Sequence, residues 1–132
     1  MIGIDTNILL RILLNDDPAQ AQSIEQLLAE HAQAAESVHI SDIVLVEAVW
    51  TLGTSYRLKP AAVLGVLRAL LAEPAYDFND RATLHKAVLA FATSKAGFTD
   101  CLIAHRNQAA GCTATATFDR KMRGLGDDVT VI

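Results

Sequence analysis

At 132 residues, 52% hydrophobic and 20% charged, the chain is long enough to bury one core and too apolar to be disordered. Its formal charge of −4, from 11 basic and 15 acidic residues, excludes a broadly basic nucleic-acid footprint. No secretory leader is recognisable, and Arg11 breaks an early apolar run too short to span a bilayer, so the expectation is a single cytoplasmic domain over residues 1–132 with no membrane segment.

Residues 1–5 read as a short buried strand with Ile2 and Ile4 on one side, followed by an apolar helix from Thr6 to Leu14. Asp17-Pro18-Ala19-Gln20 predicts the next helix start. Asp17 can cap, Pro18 suits the first helical position, and Gln20 stands where a capping box places Glu or Gln. That helix is expected to reach about Ala34. Ser37 to Ile40 reads as a strand, and Ser41 as the cap of a helix running through Ile43, Val46, Val49 and Trp50 to about Tyr56. Pro60 opens another helix, which carries Val63, Leu64, Val66, Leu67, Leu70 and Leu71 and stops before Pro74. Tyr76 to Phe78 suits a brief strand. Asp80 to Lys95 has helical periodicity, with Ala87, Val88, Phe91 and Ala92 facing inward, and Gly97 ends it. Thr99 is expected to cap a helix to about Ala110, which Gly111 ends. Thr113 to Phe118 and Asp128 to Ile132 read as the last strands. Short strands alternating with helices predict an α/β fold: a three-layer α/β/α sandwich around a central, mainly parallel sheet.

Cys101 and Cys112 match neither a zinc spacing nor a disulfide framework, and read as reduced packing residues. His31, His39, His85 and His105 form no ligand pattern and read as surface or partly buried side chains.

Four carboxylates carry the chemistry. In sheets of this class ligands bind beyond the carboxyl ends of the strands. Asp5 ends the first predicted strand, Asp119 ends the Thr-rich strand, and Asp100 stands in the first turn of the helix leading to it. Glu47 lies inside the apolar helical run Ile43 to Trp50, with no basic residue three or four positions away. A buried carboxylate there must be paired, neutralised or metal-bound. Each acid alone also suits a cap, a turn or a helix edge. Together, the topology is expected to bring them to one sheet edge, where like charges repel and a hard divalent cation relieves the repulsion. Oxygen-only ligation suits Mg²⁺ or Mn²⁺, and hydrolysis of a phosphodiester is the corresponding chemistry. The acidic net charge then fits a nucleic-acid substrate.

Ile4-Asp5-Thr6-Asn7-Ile8-Leu9, helix-borne Glu47, Phe98-Thr99-Asp100-Cys101-Leu102-Ile103-Ala104 and Thr117-Phe118-Asp119, in that order, resemble the PIN-domain nucleases. More closely, they resemble the VapC-type toxins of toxin–antitoxin systems. The resemblance spans the chain. It implies a metal-dependent endoribonuclease in which Asp5, Glu47, Asp100 and Asp119 hold Mg²⁺ or Mn²⁺. Asn7 and Thr117 would support the acids by hydrogen bonding. It also implies an RNA substrate, an antitoxin protein that blocks the site, and a homodimer. Two positions depart from the pattern. Gly97 stands where many relatives carry a further acid, which leaves the number of metal ions open, and Cys101 stands where Ala is common. Arg120, Lys121 and Arg123, directly after Asp119, are the expected guides of the RNA backbone, ahead of Arg57 and Lys59. Two competing readings fit less well. A haloacid-dehalogenase-like phosphatase would want a second Asp at position 7, where Asn7 stands. A receiver-like domain would need an acidic pair after the first strand.

Overall fold

The computed structural model describes residues 1–132. They form two compact units, residues 1–79 and 80–132.

The first unit contains β1 (Ile2–Gly3), α1 (Thr6–Leu14), α2 (Pro18–Gln33), β2 (Val38–Ile40), α3 (Asp42–Thr54), α4 (Pro60–Ala72) and β3 (Tyr76–Phe78). Its helix starts follow local chemistry. The Asp5 side chain accepts the Ile8 N–H, Asp17 accepts the Gln20 N–H and Ser41 accepts the Val44 N–H. Each satisfies one of the donors a helix start leaves open. Asn15 closes α1 in the left-handed region, at φ 50°, its N–H donating to the Arg11 carbonyl at 2.9 Å. The strands form a parallel sheet in the order β1-β2-β3, with Gly3 opposite His39 and His39 opposite Asp77. That last pair is joined by a 2.7 Å hydrogen bond from His39 Nδ1 to Asp77 Oδ2. Leu9, Ile40, Leu45, Leu52 and Leu67 are almost wholly buried, each contributing about 1.5–3 kcal/mol relative to exposure.

The second unit contains α5 (Arg81–Thr93), α6 (Phe98–Ala109), β4 (Thr115–Thr117), a 3₁₀ stretch (Arg120–Asp128) and β5 (Val129–Val131). β4 and β5 pair in parallel, Thr115 against Val129 and Thr117 against Val131. α5 packs on α6, with an edge-to-face contact of Phe91 with Phe98, and Leu84, Ala87, Val88 and Cys101 of these helices are buried. Met122 anchors the 3₁₀ stretch.

Several expectations change. β3 spans Tyr76–Phe78 as expected, whereas the other strands are shorter than the runs that contain them, because only their central residues pair with a neighbouring strand. The strands also fall into a three-stranded and a two-stranded sheet. α6 starts at Phe98 after Gly97, with no side-chain cap, so Thr99 lies inside the first turn instead of capping it. The Gln20 carboxamide accepts from Arg11 Nε at 2.7 Å, so the anticipated capping box does not close. Ala92 is exposed, and Leu84, about two turns earlier, is buried. Cys101 is a buried free thiol as expected, but Cys112 is exposed and packs nothing. The 3₁₀ stretch has no forerunner in the sequence reading. No helix is long and apolar enough to cross a membrane.

Candidate active site

Asp5 follows directly on the buried Ile4 and is itself exposed. Its Oδ1 accepts the Ile8 N–H at 2.9 Å, so it does cap α1. One carboxylate oxygen is thus oriented by the helix start, and Asp5 could still offer oxygen to a cation. Beside it opens a cleft of about 480 Å³, lined by Asp5, Asn7, Ile8, Arg11, Gln20 and Ser23 among others.

Glu47 projects from α3, which packs against α1. The Thr6 hydroxyl, next to Asp5 in the chain, donates to Glu47 Oε1 at 3.3 Å. Contrary to the expectation of a carboxylate sunk in an apolar helix, Glu47 is exposed. The helix phase explains it. Ile43, Glu47 and Trp50 share one face, and all three are open to solvent, whereas Val44, Leu45, Ala48 and Leu52 form the buried face. The desolvation argument for Glu47 therefore does not hold, and its case rests on position and hydrogen bonding.

In the second unit, Asp100 is the third residue of α6, where a negative charge meets the positive end of the helix dipole. Burial, and then the nearby charge of Asp119, push its carboxyl above the usual range. Asp119 follows β4. Its backbone N–H donates to Thr117 Oγ1 at 3.0 Å, and its Oδ1 accepts the Lys121 N–H at 2.9 Å. Thr117 is thus bonded to the backbone of Asp119. A β-carbon added at Gly97 would lie 4.0 Å from Asp100 Oδ2, so a longer acid there could only add to this charge.

The structure therefore presents the sequence-predicted acids as two pairs, Asp5 and Glu47 in one unit and Asp100 and Asp119 in the other. Neither unit contains a group of three or more His, Cys, Asp or Glu side chains that could hold a metal ion. The donor chemistry suits a hard cation, because every donor is a carboxylate oxygen. The mutual repulsion of Asp100 and Asp119 is what such a cation would relieve.

Asn7 lines the cleft beside Asp5, but the hydroxyl that reaches an acid in this unit belongs to Thr6. Arg120, Lys121 and Arg123 are exposed on the 3₁₀ stretch immediately after Asp119. Arg57, with φ 54°, and Lys59, the residue preceding α4, are also exposed. Thr6 and Arg11 were not among the sequence candidates. A hydroxyl adjoining the first acid and a lone cation in an apolar helix were the available signals.

The PIN domain family model matches residues 2–127. The chain is also similar to a VapC ribonuclease of Aquifex aeolicus (strain VF5), 23% identical over 123 residues that cover 93% of this chain and 90% of the relative. No solved structure matches it. Since the family match runs through both units and takes in all four acids, the chain belongs to the PIN domain family.

Proposed function

We propose that the chain is a metal-dependent endoribonuclease that hydrolyses RNA phosphodiester bonds, and that it acts in the cytoplasm as the toxin of a toxin–antitoxin pair. The observation that carries this reading is the family match over residues 2–127, which includes Asp5, Glu47, Asp100 and Asp119 in the order of the motifs. The similarity to a VapC ribonuclease supports the RNA substrate; the antitoxin partner and the homodimer are what the resemblance to VapC-type toxins implies. We take residues 1–132 as one catalytic domain in which the four acids jointly hold Mg²⁺ or Mn²⁺.

Such an ion, when bound, supplies charge neutralisation for the phosphodiester and acidifies water. The residues supply its setting. The Asp5 and Asp119 carboxylates are oriented by the Ile8 and Lys121 N–H groups, and Glu47 by the Thr6 hydroxyl. Arg120, Lys121 and Arg123 offer positive charge to the RNA backbone. The phosphatase and receiver readings lose their ground with membership of the PIN domain family. Purified protein should cleave single-stranded RNA with Mg²⁺ or Mn²⁺ and stop when a chelator is added. Cleavage that persists in chelator would contradict the metal assignment.

A further inference from the structure

The Arg11 guanidinium is held in an arrangement that ordinary helix packing does not need. Its Nε donates to Gln20 Oε1 at 2.7 Å and one terminal nitrogen to Asp16 Oδ1 at 2.8 Å. The side chain keeps 32% exposure at the edge of the α1–α2 cleft. Asp16 is not needed as a helix cap, because Asp17 performs that role for α2. Gln20 is drawn away from its capping position to hold Arg11.

We propose that Arg11 is a clamp for the RNA phosphate next to the scissile one, and that the Asp16 carboxylate occupies the clamp as a stand-in until RNA displaces it. The proposal rests on the ribonuclease reading of Asp5. Arg11 lies six residues beyond Asp5, about 9 Å along α1. At that distance it serves a neighbouring nucleotide and not the reacting one. The guanidinium fork matches phosphate oxygens; Asp16 and Gln20 take one N–H donor each, and the Tyr56 side chain is a further, weaker partner. An exposed Arg–Asp pair is weakly held, so an incoming phosphate can replace the carboxylate. The remaining cleft surface suits a nucleotide. Asn7, Gln20 and Ser23 offer polar groups for ribose and phosphate oxygens, and Ile8 offers an apolar patch.

The test is binding of a fluorescent single-stranded oligoribonucleotide to the full chain in an Asp5→Asn background, with cleavage followed in parallel. Arg11→Ala should weaken binding about tenfold and reduce the salt dependence by roughly one phosphate contact. Asp16→Asn should tighten binding in the parent but not in the Arg11→Ala variant, whereas mere removal of a negative charge would tighten both. Urea midpoints establish that each variant is folded. Unchanged affinity in Arg11→Ala, or unchanged or weaker affinity in Asp16→Asn, overturns the clamp. If the Asp5→Asn protein still cleaves RNA, the assignment of Asp5 to the reaction fails instead. If that protein is inert and binds RNA, but Arg11→Ala binds equally well, only the clamp fails.

Discussion

The two units handle a pair of acids in different ways. In residues 1–79, Asp5 and Glu47 are each tied to a neutral donor, the Ile8 N–H and the Thr6 hydroxyl. In residues 80–132, Asp119 is likewise tied to a backbone N–H, but Asp100 is partly buried and lies within the field of that second carboxylate. The first arrangement includes an ordinary helix start, with Asp5 capping α1. In the second, burial first and the neighbouring Asp119 charge second disfavour the charged form of Asp100. A carboxylate that caps a helix is accounted for by folding, whereas a partly buried carboxylate beside another acid is disfavoured in its charged form.

Core truncations mark the larger expected effects. Leu45→Ala in the first unit and Leu84→Ala in the second should each cost about 2–5 kcal/mol, because both side chains are almost wholly buried and leave cavities. Urea denaturation of each variant measures this, and a loss under about 1 kcal/mol at either site would contradict the packing described.

A cap comparison sharpens the contrast between the acids. Asp5→Ala removes the acceptor for the Ile8 N–H and should cost about 1 kcal/mol, whereas Asp5→Asn keeps an acceptor and should cost little. The two urea midpoints in metal-free buffer decide it. Equal midpoints would show that the cap contributes nothing.

The smallest effect concerns pH. The folded protein binds the Asp100 proton more tightly than the unfolded chain does, since the folded pKa is raised. The associated stability is present below the unfolded value near 3.8 and is lost as pH rises through the raised folded value. Asp100→Asn removes that loss. Without metal at neutral pH the variant should therefore unfold at the same or a higher urea concentration than the parent, and its advantage should shrink on acidification. A lower midpoint at neutral pH would contradict the repulsion.

What the sequence made legible follows the range of the interactions. The starts at Asp17, Ser41 and Pro60 were readable because capping acts over three residues and proline fixes its own φ. Family membership was readable because four short motifs occur in order. The strand limits were not, since pairings such as Ile2 with Val38 and Thr115 with Val129 are set by distant partners. The exposure of Glu47 was missed because α3 carries Ile43 and Trp50 on its open face, which hides the polar side from a composition-based reading. The Arg11–Gln20 bond joins two helices across nine positions, so nothing local announces it. Thr99 lost the capping role because Gly97, lacking a side chain, already occupies the turn into α6.

The central proposal is that RNA cleavage requires both Asp5 and Asp119. It is tested most directly by RNA cleavage rates, in Mg²⁺ or Mn²⁺, for Asp5→Asn, Asp119→Asn and the two combined. The account predicts that each single change lowers the rate by at least about a hundredfold, and that the combination is hardly worse than either alone, since both disable one unit of function. A single variant that keeps the parent rate, or a double variant whose loss is the product of the single losses, would contradict it.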